Sequence, residues 1–447
     1  MRFNPEIFRA YDVRGVYDKD LDCDFAVGLG TALVSYLKGP KILVAHDDRD
    51  SSIALAQSLM NGVMAGGSKV IYLGLATTPF FNFVFGQLGV AGGAMVTASH
   101  NPPQYAGFKI FGRGGNPLGL DSGLGIIKEL VEKNQFDKFR KQGDLIKPDR
   151  KNLLEKYVKF VAAKAKSRPG ELRDLKVKIS GSGVAMEEAG LLAKICGLSV
   201  DDNGDIRFLF DGDADRLAVI NENGDPVRSD HLVGLLAKDA VKFLSKPKVV
   251  YDSRFSKGVT QKFGEWGVKG FRSRVGRVFV RGEMIKRQAD IGGELSGHVY
   301  FKEANYHELP LLAMLRLLKI LARSKMSIVE LVKPFQTWYN SGEINFEIAD
   351  LPNRPDSGSE PPNRPLSFHY DRGKMIVWDL FELLKQKFSD GEFDDLDGLT
   401  IEYPDWWFNI RPSNTEPVLR LVVEAKSQEL LEQKISEVSG LIKTALF

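Results

Sequence analysis

KILVAHDDRDSSIALAQSLMNGVMAGGSKVIYL, residues 41–73, is the stretch that decides the fold. Lys41–His46 is short, apolar and rich in β-branched residues, the pattern of a buried strand. Ser51–Met64 carries apolar side chains at helical spacing, and Lys69–Leu73 returns to strand. Strand, helix and strand in this order form a βαβ unit, the building block of a parallel sheet.

Working outward, the same pacing recurs. Ala91–Val96 reads as a further strand of the first unit. A second passage runs through strand Lys176–Ile179, helix Ala185–Cys196 and strand Ile206–Phe210. A third runs through Lys248–Tyr251, Ser256–Trp266 and Val268–Phe271. Basic, helix-like stretches at Lys128–Lys141 and Asn152–Lys166 separate the first unit from the second. Leu309–Leu321 is apolar and helical but too short to span a membrane, so it reads as a core helix. Leu351–Pro365, with five prolines and few apolar residues, reads as a linker or exposed loop. Beyond it the pacing changes: helix Met375–Phe388, strand Leu399–Tyr403, an aromatic turn at Asp405–Phe408, strand Leu419–Glu424 and helix Gln428–Leu446. The fold expected is α/β: three related α/β domains with mixed, largely parallel sheets plus a C-terminal α+β domain, around a central cleft. The boundaries expected are 1–147, 148–228, 229–342 and 343–447.

At 447 residues the chain is too long for one core. Its formal net charge of +3 gives no reason to expect a nucleic-acid partner. The two cysteines, Cys23 and Cys196, form no CxxC pair, against a zinc site or a disulfide framework. With neither a signal peptide nor an apolar span near 18 residues, the expectation is a reduced, cytoplasmic protein with no membrane partner.

Four stretches carry chemistry. In GGAMVTASHNPPQYAGFKIF, residues 92–111, the apolar run enters a turn that Pro102 and Pro103 close, presenting Ser99 and His100; Lys109 follows ten residues after Ser99. Asp211, Asp213 and Asp215 alternate with Gly212 and Ala214 directly after a strand, so several oxygens can turn onto one hard cation. An EF-hand loop would need glycine at its sixth position, where Arg216 stands. Mg²⁺ suits so few carboxylates, because it fills its shell with phosphate oxygens or water. The glycine-rich loop GGELSGH, residues 292–298, offers Glu294 and Ser296 at alternate positions for vicinal hydroxyls, and His298 for a proton. Arg411, Ser413, Asn414 and Thr415 in RPSNTEP combine a guanidinium, hydroxyls and an amide, a good cradle for a phosphate dianion. Each stretch alone is also consistent with an ordinary polar turn.

Together with FRAYDVRG near the N-terminus, the motifs TASHNP, DGDADR, GGELSGH and RPSNTEP stand in the order found in the α-D-phosphohexomutases, and the sequence resembles that family from residue 7 to about 426. The resemblance implies that Ser99 is a phosphoserine that passes its phosphoryl group to a hexose monophosphate, giving a hexose 1,6-bisphosphate. That intermediate, which also acts as activator, reorients and returns its other phosphate. By the same resemblance Asp211, Asp213, Asp215 and the Ser99 phosphate hold Mg²⁺. Lys109 and His100 stand near the reacting hydroxyl, with Lys109 the general acid/base. Tyr11, Arg14 and Arg216 hold the phosphoserine region and substrate, Glu294 and Ser296 contact the sugar hydroxyls, and Arg411, Ser413, Asn414 and Thr415 bind phosphate.

The sugar loop and the tail look most like phosphomannomutases that also convert glucose phosphates. The alternatives are a phosphoglucosamine mutase and a non-catalytic sugar-phosphate or Mg²⁺-binding protein on the same fold; in each case a monomer or dimer is expected. Three departures stand out: SGSGVA at 180–185 in place of a GNGAG-like turn, Arg277 where relatives often carry histidine or aspartate, and the insertion at 351–365.

Overall fold

The structure, a computed structural model, describes residues 3–137, 142–168, 170–348, 373–413 and 418–446. It contains four sheets. The first is built from β1 (Val13–Val16), β2 (Lys41–His46), β3 (Lys69–Leu75), β4 (Gly92–Val96), β5 (Tyr105–Phe111) and β6 (Leu145–Ile146), in the order β1-β5-β4-β2-β3-β6. The second takes β7 (Lys176–Ser180), β8 (Ser199–Val200), β9 (Ile206–Phe210), β10 (Leu217–Ile220) and β11 (Pro226–Val227), in the order β11-β10-β9-β7-β8. In the third, β12 (Lys248–Asp252), β13 (Lys269–Ser273), β14 (Ile291–Gly293), β15 (Val299–Phe301) and β16 (His307–Glu308) lie in the order β13-β12-β14-β15-β16.

Strip the numbering away and the three sheets are one design. A central strand (β2, β7 or β12) pairs in parallel with the next strand on one side and with the one after that on the other. That third strand turns back as an antiparallel hairpin (β4–β5, β9–β10, β14–β15), and a short antiparallel edge strand closes the sheet. The turns of these three hairpins are 97–104, 211–216 and 294–298, the three stretches singled out in the sequence.

Strand β2 shows why the sheet is buried on both faces. Ile42 and Val44 pack into a core with the helix Cys23–Leu37, while Leu43 and Ala45 face a second core. That second core is continuous through all three sheets and takes in the helices Arg150–Ala165 and Pro310–Ser324. The basic stretch after residue 128 is not a helix throughout. Its helix is Leu124–Glu132, set by buried Leu124, Ile127 and Val131, and Asn134 at φ +48° lies just beyond its end. Residues 138–141 lie outside the described residues.

The fourth sheet differs. β17 (Tyr339–Asn340), β18 (Ile344–Glu347), β19 (Glu392–Asp394), β20 (Leu399–Glu402), β21 (Trp406–Pro412) and β22 (Val418–Ala425) pair antiparallel throughout, with the helices Gly373–Lys387 and Gln428–Leu446 beside them. It has its own core. Because β17 pairs with β22, the chain enters this sheet a few residues ahead of 343. The expected aromatic turn at Asp405–Phe408 is instead the start of β21. Trp406 and Phe408 enter the sheet's core while Trp407 faces the other side against Trp338 and Val422, the alternation that bulky aromatics favour in a strand. The proline-rich stretch 351–365 lies outside the described residues. Among the described residues no helix is long and apolar enough to cross a membrane.

Candidate active site

Ser99 leaves the end of β4 in the left-handed region, φ +51°, unusual for a residue with a side chain. Its amide donates to Thr97 Oγ1 at 2.8 Å, and its hydroxyl donates to Asp211 Oδ2 at 2.9 Å. The serine is buried rather than presented at a mouth, 2% exposed. His100 Nδ1 lies 3.4 Å from the hydroxyl. Burial and the nearby Arg216 and Arg14 push His100 down to about 4, so its ring is neutral at neutral pH. Arg14, on the edge strand β1, donates to Asn101 Oδ1 at 2.6 Å and to Asp12 Oδ2 at 2.5 Å, tying that strand to the serine turn.

The aspartate turn meets the serine turn backbone to backbone. A Cβ on Gly212 would stand 2.6 Å from the Ser99 carbonyl oxygen, so only glycine lets the two loops close. Thr78, at the start of the helix Thr78–Leu88, binds Asp213 twice: its amide to the carbonyl at 2.9 Å and its hydroxyl to Oδ2 at 2.5 Å. Lys109, from β5, is buried and ion-paired with both Asp213 and Asp215. Burial alone would lower its pKa, but these two carboxylates outweigh it and raise the ammonium above its ordinary value. Burial would likewise raise Asp215, yet Lys109 and His298 hold it well below the carboxylate range. Asp211 is pushed up to about 7 by burial and by the charges of Asp215 and Asp213. The Arg216 backbone N–H donates a hydrogen bond to Asp211 Oδ1 at 3.1 Å.

The third hairpin closes the cluster. Leu217 N donates to Gly297 O at 3.0 Å, and His298 Nε2 stands 3.4 Å from Asp215 Oδ1. Burial lowers His298, but Asp215 and Glu294 prevail and raise it. Ser296 Oγ lies 3.0 Å from His298 Nδ1. Glu294 accepts from the Tyr300 hydroxyl and, at 3.1 Å, from Gly276 N. Tyr11 packs against Gly276, with ring carbon Cε1 3.1 Å from where a Cβ would stand. Arg277 begins the next helix with its guanidinium over the Phe111 ring and 3.9 Å from Asp215 Oδ2.

Asp211, Asp213 and Asp215 each offer an oxygen within 4.8 Å of the others. The buried Oδ1 of Asp213 has no hydrogen-bond partner, and that of Asp215 faces the His298 ring 3.4 Å away. Desolvated anionic oxygens left unpaired fit a hard divalent ion such as Mg²⁺.

Arg411 lies apart from this cluster, at the end of β21. Its Nη2 donates to Glu343 Oε1 at 2.8 Å, and Arg254 (3.1 Å) and Arg420 (2.9 Å) converge on the same carboxylate. Burial and the neighbouring Arg254 lower Arg411; burial would raise Glu343, but the three arginines bring it down. Ser413 N donates to Val418 O at 2.9 Å, closing the hairpin. Asn414 and Thr415 lie outside the described residues. Of the expected site residues, those of the first three hairpins therefore come together with Arg14, whereas Arg411 forms a second pole.

Sequence reasoning missed Thr78, Glu343 and Arg254, whose roles arise from contacts across the fold. A Thr-Thr-Pro at 77–79, a helix-start signature directly after a strand, was the one local signal for Thr78.

Among the described residues, four sheets, three of them copies of one mixed α/β design with their equivalent turns converging, define a multi-domain mixed α/β architecture. Models of the phosphoglucomutase/phosphomannomutase family match it directly: α/β/α domain I over residues 5–138, α/β/α domain III over 228–338 and the C-terminal domain over 371–440. A phosphomannomutase of Methanocaldococcus jannaschii is 33% identical over 471 aligned positions, covering 98% of this chain and 97% of that one. The crystal structure of a phosphoglucomutase/phosphomannomutase family protein from Burkholderia thailandensis superposes with a TM-score of 0.84 at 26% identity, covering 99% and 98% of the two chains. N-acetylphosphoglucosamine mutase of Aspergillus fumigatus, solved with GlcNAc-6P and magnesium, shares the fold at 12% identity and a TM-score of 0.55, over 91% of this chain and 78% of that one. The chain belongs to the phosphoglucomutase/phosphomannomutase family of α-D-phosphohexomutases, and it is a mutase by that membership.

Proposed function

We propose that the protein interconverts hexose 6-phosphate and hexose 1-phosphate through a phosphoserine at Ser99 and a hexose 1,6-bisphosphate, with mannose phosphates favoured and glucose phosphates also accepted. The observation that carries this reading is the Ser99 hydroxyl on Asp211, 2.9 Å away, at the edge of an aspartate trio in which the buried Oδ1 of Asp213 has no hydrogen-bond partner. A hydrolase serine would need a base and a group orienting that base; His100 lies 3.4 Å from the hydroxyl, but among the described residues no carboxylate hydrogen-bonds its ring.

In the proposed step a sugar hydroxyl oxygen attacks the phosphorus on Ser99 and the phosphorus–Oγ bond breaks. Lys109, held by Asp213 and Asp215, is an ammonium, so it gives a proton to the departing Ser99 Oγ, and the amine this leaves takes up the proton of the attacking hydroxyl. Asp211, Asp213 and Asp215 would hold Mg²⁺, which would supply positive charge to stabilise the transferring phosphoryl group. Arg14 and Arg216 position the serine turn and its phosphate, and neutral His100 lines the same face. Glu294, Ser296 and His298 read the sugar hydroxyls, with Tyr11 beside them. Arg411, Ser413, Asn414 and Thr415 grip the phosphate that is not reacting. Such positioning and charge stabilisation are most of what phosphoryl transfer asks of a protein. The division into domains 1–147, 148–228, 229–342 and 343–447, a cytoplasmic location and a bisphosphate activator belong to the same proposal.

A coupled assay with mannose 1-phosphate, glucose 1-phosphate and glucosamine 1-phosphate, each with bisphosphate activator, tests it. Turnover fastest with mannose 1-phosphate and lost by at least ~10³-fold in Ser99→Ala is expected. Near-normal turnover by Ser99→Ala would remove the carrier role.

A further inference from the structure

We infer that Arg49 is a positioning residue for phosphoryl transfer: it fixes where the Ser99 oxygen stands by gripping the serine turn through its backbone carbonyls. This inference rests on the proposed role of Ser99 as phosphoryl carrier.

Arg49 sits in the loop after β2 and reaches across to the neighbouring hairpin. Its Nη2 donates to Ser99 O and Asn101 O, both at 2.6 Å, and its Nη1 donates to Pro102 O at 2.9 Å and Tyr105 O at 3.2 Å. Four carbonyls from seven consecutive residues therefore point at one guanidinium. Carbonyl dipoles aimed at a common point repel one another, and a half-buried, delocalised cation removes that cost. Asp47 orients the guanidinium from behind, with Oδ2 3.3 Å from Nε.

The backbone of Ser99 needs this grip. Its positive φ turns the carbonyl inward, toward Arg49 on one side and Gly212 on the other, while the hydroxyl faces Asp211. A strained, left-handed serine persists only where its surroundings over-determine it. Without the arginine the peptide can relax, and the hydroxyl moves with it. The adjoining Asp48 accepts from Gly183 N at 3.0 Å, so the SGSGVA turn of the second sheet is held by the same loop. The bracket thus fixes the serine turn relative to the sheet that carries the aspartates. A lysine could supply the charge but not four donors in a planar fork.

The test uses full-length wild type, Arg49→Lys and Arg49→Gln, each loaded with Mg²⁺. Glucose 1,6-bisphosphate is added to dephosphorylated protein, and the rate of phosphoryl gain at Ser99 is followed by intact mass and peptide mapping. Both variants should stay folded, keep KM within ~2-fold and lose ~10²-fold in loading rate and kcat, the cost of misplacing a reacting group by about an ångström. Arg49→Ala should recover part of that loss when methylguanidinium is added. Equal loading rates in wild type and variants would overturn the inference while leaving the carrier reading intact. So would failure of both variants to fold, because the arginine would then serve the fold and not the hydroxyl. No phosphoryl gain at Ser99 in the wild type would overturn the carrier reading, and this inference with it.

Discussion

The two charged clusters of the molecule are built in opposite ways. At one, Asp213 and Asp215 share the buried ammonium of Lys109, with Asp211 beside them and Arg216, Arg277 and His298 around the three carboxylates; at the other, Arg254, Arg411 and Arg420 converge on Glu343, with Asp252 also pairing Arg254. Charges of one sign brought together out of water are costly unless a counter-charge joins them. In the proposed function the acid pole takes the cation and the basic pole the phosphate. The poles also differ in foundation. The acid pole stands on three sheets welded by one continuous apolar core. The basic pole spans a joint: Arg254 follows β12, whereas Arg411 and Arg420 belong to the fourth sheet with its separate core. Much of that joint is polar, with Arg272 to Asp394 at 2.8 Å and Ser253 to Asp397 at 2.8 Å.

The largest effect should come from breaking the acid pole. Asp213→Asn removes a charge from the turn while keeping its shape. A change in a residue that only supports a metal ligand costs about 10–100-fold in affinity, so changing a direct ligand should cost at least as much. Mg²⁺ titration followed by calorimetry should show that loss with activity falling in parallel; unchanged Mg²⁺ affinity would take Asp213 out of the ligand set.

Breaking the basic pole should cost binding more than rate. A charge-assisted hydrogen bond contributes roughly 1.5–3 kcal/mol, or about 10- to 150-fold in affinity. Arg411→Ala should raise KM for the hexose phosphate within that range while kcat changes by less than ~5-fold, the mark of a contact made equally in ground and transition states. A collapse of kcat at constant KM would move Arg411 from grip to chemistry.

How far the sequence carried depended on where each contact partner lay. The βαβ periodicity at 41–73 and its two echoes are properties of single segments, and they foretold three sheets of one kind. The serine, aspartate and sugar-loop turns were legible because each packs its chemistry into a few neighbouring residues. Arg49 was not, because it recognises backbone carbonyls, which leave no mark in the identity of residues 99–105. Nor was Lys109's pairing with two aspartates about a hundred positions away. Trp406–Phe408 misled for another reason: a polar, proline-led approach suggested a turn, yet the alternation of three aromatics across a sheet prevailed. Arg411 was read as a phosphate ligand from its own motif, while its partner Glu343 lies 68 residues upstream across the proline-rich stretch.

The smallest expected effect probes the foundation of the acid pole. Thr78 grips Asp213, and the preceding Thr77 donates from its hydroxyl to both oxygens of Glu188, at 2.8 and 3.0 Å, on a helix of the second sheet. Burial pushes Glu188 from 4.5 up to about 8. The folded protein thus keeps a proton that the unfolded chain releases above its ordinary value. Stability from this group is fully present below pH 4.5 and is lost as the pH climbs toward 8. At 1.36 kcal/mol per pKa unit the whole window is worth at most a few kcal/mol, or several degrees in Tm for domains of this size. Glu188→Gln supplies the neutral form at every pH. Its Tm should match wild type near pH 5, exceed it by a few degrees at pH 8, and leave Mg²⁺ affinity unchanged. A wild-type Tm with the same slope as the variant's between those pH values would mean that Glu188 is ionised in the fold, and that the acid pole rests on a charge as well as holding three.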